Sequence, residues 1–233
     1  MDRDSVANDL LMGLRILEAN GIVDFNGHAS VRLGDGCLIN SGASVRSRLS
    51  EADLVETNKD GKSRPGSDAP PIECHIHAEI YRARADVGAV LHGHPTWPSL
   101  LASTDMPFRP VYPQGAVLGN VPLYPSPLSI NSAESGKAVA RLLGEGCAVL
   151  LRSHGIVVAG RDIREATIKA IYLEENARRQ CQAAAMGKIV GLTAEDTEAC
   201  RINLDRPALF SKAWDYFACK IPGATTAPLS AQA

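Results

Sequence analysis

The sequence lacks an excess of charge, a long apolar run, a paired-cysteine motif and a nucleotide-binding loop. Its 24 Lys+Arg against 26 Asp+Glu leave a formal net charge of −2, which excludes the basic face of a general nucleic-acid binder. No apolar run approaches the ~18 residues of a membrane-spanning helix. The acidic, polar start Met1-Asp2-Arg3-Asp4 does not read as a signal peptide. Six cysteines occur without C-x-x-C spacing, and they are expected to be reduced, mostly buried thiols of a cytoplasmic protein. No G-x-G-x-x-G or Walker-type loop is present, so no nucleotide cofactor is indicated. Histidine is unevenly placed: the six lie at 28, 75, 77, 92, 94 and 154, and none follows His154.

What is present is ordinary globular composition, 45% apolar and 21% charged over 233 residues. A chain of this length buries roughly 70% of its unfolded surface and needs no disulfide to fold. Residues 4–20 carry Leu10, Leu14 and Leu17 at helical spacing. Residues 29–33 and 37–40 read as strands of a hairpin around Gly34-Asp35-Gly36. Ser50-x-x-Asp53 resembles a helix start, and Asp60-Gly61 a turn. Pro70-Pro71 precedes a helical pattern carrying Ile72, Ile76 and Ile80. Residues 87–92 read as a buried strand, 133–143 as a helix, and 147–151 and 156–159 as strands about Ser153-His154-Gly155. Asp162-x-x-Glu165 starts a long helix over 163–186, with one or two more within 194–220. Helices and strands mix without a regular alternation or a break in composition. One α/β domain over residues 1–222 is expected, followed by a disordered tail over 223–233.

The chemistry concentrates in Glu73-Cys74-His75-Ile76-His77, in His92-Gly93-His94-Pro95 and in His154-Gly155. Side chains two apart on a strand share a face, so His92 and His94 can converge on one cation. Neutral imidazoles suit Zn, Mn, Fe or Co as divalent ions, and a third from a turn would leave positions open for water or substrate. His154 is the best candidate for that third ligand. Read alone, each piece has an ordinary alternative: two rim histidines, a turn histidine, and an acidic residue in a helix first turn. His75 points away from Glu73 on a helix. His77 shares the face of Glu73, either supporting the site or forming a plain surface pair.

Taken in order, these motifs resemble the class II aldolase/adducin family over about residues 5–215. Gly27-His28-Ala29-Ser30-Val31-Arg32 is similar to its early G-N-x-S-x-R strand, and Ser41-Gly42 to its (S/T)-G turn. The resemblance implies a three-layer α/β/α fold around a largely antiparallel sheet. It also implies a fourfold homotetramer with active sites at subunit interfaces. Each subunit would hold one divalent metal ion on His92, His94 and His154, with Glu73 as acid/base. Tyr112 would come from a neighbouring subunit to protonate the leaving group. His28, Ser30, Ser41 and Gly42 fall where the family holds its small anionic substrate.

The departures bear on the reaction. Sugar-phosphate aldolases of the family place Asn where His28 stands and a Ser pair where Pro71 and Ile72 stand. Those lost donors are each worth roughly 1.5–3 kcal/mol to a phosphate. The pattern resembles a branch that decarboxylates aromatic ortho-hydroxy carboxylates such as dihydroxyphthalates. Glu73 would protonate the ring carbon as CO₂ leaves, for which a dry pocket should raise its pKa. His28 and Ser41 would grip a second carboxylate, with Arg32 or Arg46 a source of charge nearby. The alternatives are an aldolase for a non-phosphorylated keto acid or sugar acid, an aldolase for a sugar phosphate, and a non-catalytic adducin-like scaffold.

Overall fold

Short apolar runs separated by turns build one seven-stranded sheet in the computed structural model, which describes residues 3–222. The tail expected over 223–233 lies outside the described residues. The strands are β1 (His28–Leu33), β2 (Gly36–Asn40), β3 (Leu54–Thr57), β4 (Ala89–Gly93), β5 (Leu123–Tyr124), β6 (Ala148–Leu151) and β7 (Gly155–Gly160). Their spatial order is β3-β2-β1-β4-β7-β6-β5. Every neighbouring pair is antiparallel except β5–β6. The expected largely antiparallel sheet is therefore what forms, with one parallel pair at an edge.

Alternation along each strand sends side chains to opposite faces, and each face buries its own core. On one side Ala29, Val31, Leu91 and Val158 pack against helices α1 (Arg3–Ala19), α5 (Ile163–Met186) and α7 (Pro207–Ala218). On the other, Ile39, Val90, Val149 and Val157 pack against α2 (Cys74–Ala83) and α4 (Ala133–Leu143). This is the expected three-layer α/β/α arrangement. The remaining helices are α3 (Thr96–Leu101) and α6 (Ala194–Leu204). No helix among the described residues is long and apolar enough to cross a membrane, and the six cysteines form no disulfide.

Local sequence signals set several boundaries. The Ser132 hydroxyl accepts from the Ser135 N–H at the start of α4, and the Asp162 side chain accepts from the Glu165 N–H at the start of α5. Two expectations need correction. Ser50-x-x-Asp53 does form a capping box, but over a single 3-10 turn, because the chain then pairs with β2 as the edge strand β3. Ile72 does not share a buried stripe with Ile76 and Ile80. Residues 72 and 73 form a turn in which the Cys74 N–H meets the Pro71 carbonyl at 3.0 Å, α2 begins at Cys74, and Ile72 is left 77% exposed.

Candidate active site

The register of β1 against β4 sets His28 opposite His92, and α2 covers both. His92 is on β4, and His94 is the first residue beyond its end. Two glycines let the third histidine approach. A Cβ at Gly155 would stand 2.2 Å from the Gly93 carbonyl oxygen and 3.0 Å from the His94 ring. The turn before it places Ser153 at φ 49, in the left-handed region, and delivers His154 stacked against His94, with centroids 5.3 Å apart. A Cβ at Gly93 would stand 2.3 Å from the Ile22 carbonyl oxygen, which itself accepts the His94 N–H at 3.0 Å. Gly93→Ala is therefore expected to cost about 1–3 kcal/mol of stability and to weaken divalent-ion binding by moving His94. Denaturant melts and zinc titration of the variant check both, and wild-type values in both would show this strand end to be pliable.

Glu73, His92, His94 and His154 offer ligand atoms that all lie within 4.8 Å of one another. The His92 and His94 Nε2 atoms are 3.0 Å apart, and Glu73 Oε2 is 3.3 Å from His92 Nε2. Ligands about 2.1 Å from one ion stand about 3–3.5 Å apart in tetrahedral geometry. The other ring nitrogens decide the chemistry. His92 Nδ1 donates to the Ile156 carbonyl at 2.9 Å, and His94 Nδ1 donates to Asp24 Oδ1 at 2.9 Å. Asp24 has its carboxyl held low: the donors His94, Asn26 and Gly27 outweigh its burial. With each Nδ1 committed as a donor, the Nε2 atoms of His92 and His94 are the nitrogens turned toward the cluster. Nδ1 donors fixed in this way orient metal-binding histidines. The four residues fit a divalent ion.

Glu73 precedes the first residue of α2, and its carboxylate, which makes no cap bond to the helix, accepts the Ile130 N–H at 2.8 Å. Burial pushes its carboxyl up, but the His92 contact, the Ile130 N–H and His154 outweigh that and hold it at about 2. The raised pKa expected from a dry pocket is therefore not what the site produces. Glu73 rests as a carboxylate because the residues drying its pocket also supply donors and positive potential.

The group opens on a cavity of about 580 Å³ whose wall includes His28, Gly42, Arg46, Pro71, Ile72 and Glu73. Two of the expected substrate residues stand behind that wall. Ser30 is fully buried, with its Oγ engaged by His77 and Tyr81. Ser41 is buried beneath Gly42, its Oγ without a hydrogen-bond partner among the described residues. Tyr112 is not brought to Glu73 within the chain; its hydroxyl donates to the Tyr172 carbonyl at 3.3 Å, and the Arg179 guanidinium lies over its ring. His77 is neither a surface residue nor a partner of Glu73, being fully buried and bonded to His28 and Ser30. Arg32 is committed to the Val87, Tyr81 and Arg84 carbonyls. Arg46 reaches the cavity wall while donating to the Gly27, Ser41 and Ser44 carbonyls.

Sequence reasoning missed Asp24, which fixes His94 across 70 residues. The only local signal there is a short turn, in which Asp24 accepts the Asn26 and Gly27 N–H groups.

Comparison with known proteins adds to this geometry. The pattern of the Class II Aldolase and Adducin N-terminal domain matches residues 8–181. A 3,4-dihydroxyphthalate decarboxylase of Terrabacter sp. (strain DBF63) is 30% identical over 203 residues, covering 79% of this chain and 84% of its own. An L-fuculose phosphate aldolase of Methanocaldococcus jannaschii is 27% identical over 168 residues, covering 70% of this chain and 88% of its own. The solved L-fuculose 1-phosphate aldolase from Glaciozyma antarctica PI12 superposes with a TM-score of 0.81 at 21% identity, covering 93% of this chain and 90% of that one.

Proposed function

The chain belongs to the class II aldolase and adducin family, and from that premise we propose that it is a divalent-metal-dependent carbon–carbon lyase that decarboxylates an aromatic ortho-hydroxy dicarboxylate of the dihydroxyphthalate type. The observation that carries the choice of substrate is the cavity wall. Pro71 offers no N–H and Ile72 no hydroxyl, so the wall favours the face of a planar ring over a phosphate. The similarity to the Terrabacter decarboxylase supports the same reading.

Glu73, His92, His94 and His154 would hold the ion, one per subunit. When bound, a zinc, manganese, iron or cobalt ion supplies Lewis-acid stabilisation of the charge that develops on the substrate oxygen. Glu73, resting ionised, accepts the proton of the ortho-hydroxyl group. As the ring carbon–carboxylate bond breaks and CO₂ departs, Glu73 returns that proton to the ring carbon. The product leaves as a phenolate and takes its remaining proton from water. His28 and Arg46 face the second carboxylate, with Gly42 letting the substrate approach the backbone. Phe25, Ile72 and Leu128, each more than 70% exposed, stand at or beside residues of the cavity wall. Such apolar surface is expected to be covered by neighbouring subunits of a homotetramer, one of which would bring Tyr112 to the site.

The test is incubation of zinc- or manganese-loaded protein with 3,4-dihydroxyphthalate and related hydroxy-diacids, reading CO₂ release. Release with retention of one carboxylate on the product is expected. No turnover of any aromatic diacid, together with pyruvate release from a 4-hydroxy-2-keto acid, would establish the second reading instead. That reading, an aldolase, is favoured by the similarity to the Methanocaldococcus aldolase; in its condensation direction Glu73 acts as the base that removes the proton beside the keto group and Tyr112 protonates the aldehyde oxygen as the new carbon–carbon bond forms, and cleavage reverses both transfers.

A further inference from the structure

Behind the cavity wall, four side chains from β1 and α2 form one continuous hydrogen-bonded chain. His28 Nδ1 lies 2.7 Å from His77 Nε2, and His77 Nδ1 lies 2.6 Å from Ser30 Oγ. Ser30 Oγ lies 2.8 Å from Tyr81 Oη, which also meets the Ser30 carbonyl at 3.1 Å. His28, Ser30 and His77 are each no more than 1% exposed. At the cavity end the chain stops on His28 Nε2, which is buried and has no hydrogen-bond partner among the described residues.

Both imidazoles are buried and bonded only to each other and to the Ser30 hydroxyl, with no carboxylate in this hydrogen-bonded chain to compensate a buried cation, so both rings stay neutral. Two neutral rings share two hydrogens among four nitrogens. One hydrogen must lie between His28 Nδ1 and His77 Nε2, because two lone pairs at 2.7 Å repel. The other sits on His77 Nδ1, leaving the cavity nitrogen bare, or on His28 Nε2, giving the cavity an N–H. In the second state the donors run in one direction, from Tyr81 through Ser30 and His77 to the cavity. The two states hold the same hydrogens and are both uncharged; passing from one to the other takes proton exchange with water at His28 Nε2 and at a transiently freed His77 Nδ1, because shifting each hydrogen along its own bond would put none on His28 Nε2. Tyr81 cannot release its proton, since burial raises its pKa well above the ordinary value. The chain therefore orients a hydrogen bond and delivers no net proton.

We propose that His77 is a positioning residue: backed by the Ser30 and Tyr81 hydroxyls, it sets the tautomer of neutral His28 so that His28 Nε2–H donates to an anionic group of the bound substrate. This rests on the reading that the cavity takes a small anionic substrate. A bare Nε2 would set a lone pair against a carboxylate, so anion binding selects the donor state. Arg46 in the same wall supplies the positive charge, and His28 supplies direction without a second buried cation.

The experiment uses zinc-loaded, full-length protein labelled with ¹⁵N-histidine. The probes are phthalate and inorganic phosphate, and the His28 signals are assigned with His28→Asn. Two-bond nitrogen–proton correlations distinguish the tautomers. With phthalate bound, His28 is expected to carry its hydrogen on Nε2. His77→Leu should weaken phthalate binding about tenfold or more, the loss of one hydrogen bond to a charged group, and abolish the tautomer preference. His77→Gln, whose amide can donate to His28 Nδ1, should recover part of both. Should His77→Leu fail to fold, Ser30→Ala removes only the hydroxyl link and should give mixed His28 tautomers with several-fold weaker binding. A merely structural role would loosen binding equally in the Leu and Gln variants and leave the tautomer unchanged. The proposal is overturned by an Nδ1–H, Nε2-bare His28 with a probe bound, by wild-type tautomer and affinity in Ser30→Ala, or by binding of neither probe. Absence of CO₂ release from every diacid would remove the decarboxylase reading and leave this observation standing. A donor His28 on phosphate alone would move the substrate class toward phosphate esters.

Discussion

Glu73→Gln is expected to lower turnover at least about 100-fold while leaving the divalent ion bound. The amide keeps the shape of the carboxylate, and its oxygen can still accept the Ile130 N–H that now holds Glu73 Oε1 at 2.8 Å. What it loses is the capacity to take up a proton and give it back, a role worth about 10²–10⁴-fold in rate. His92→Ala separates the two functions of the cluster. His92 is fully buried, its Nδ1 fixed by Ile156 and its Nε2 within 3.3 Å of both His94 and Glu73. Its loss should abolish turnover and tight ion binding together, as read by metal analysis after dialysis. A Glu73→Gln enzyme retaining more than about a tenth of wild-type turnover would show that the proton travels through another group. Full metal content in His92→Ala would remove His92 from the ligand set.

Metal-free protein should lose stability as pH falls below about 6.5. His28 and His77 are buried neutral in the folded state, His77 at about 3, and both take a proton freely once unfolded. Their folded pKa values lie below the unfolded value, so the unfolded chain binds more protons between these limits and stability falls with pH. Each contributes roughly 1.4 kcal/mol per pH unit below the unfolded pKa. Glu174 works in the opposite direction. Burial raises its carboxyl to about 7, so over pH 4.5–7 the folded state holds the extra proton, which offsets up to about half of the histidine effect. A net loss of at least about 1.4 kcal/mol per unit between pH 6 and 5, or about 3–6 °C in Tm for a chain of this size, is expected, since His154, also held low by burial, adds to it. Glu174→Gln should steepen the slope toward about 2.7 kcal/mol per unit, and His77→Leu should flatten it. Thermal melts from pH 7 to 5 decide the matter; a wild-type Tm independent of pH would mean that these imidazoles are not buried neutral.

The sequence by itself determined the elements whose signals are local. The helices beginning after Ser132 and Asp162 run over the expected residues because their caps and apolar stripes lie within one segment of chain. His92 and His94 were legible as a pair because spacing of two on a strand fixes a common side. The order of motifs from Gly27 to His154 carried the family. The edge strand β3, the two-residue strand β5 and the short helix α3 have no such signature. β3 and β5 are strands because β2 and β6 offer them a ladder.

Only the tertiary structure decided how the site is wired. Asp24 reaches His94 across 70 residues, and His77 reaches His28 across 49. Periodicity carries no trace of contacts made by folding distant segments together. The resting charge of Glu73 was hidden for the same reason. The chain specifies a carboxyl group beside two prolines, but whether burial raises its pKa or its neighbours lower it depends on the His92 contact, the Ile130 N–H and the nearby His154 that folding brings to it. The residue types that do chemistry were in the sequence; their tautomers, charges and directions came from the fold, because those properties belong to pairs of groups.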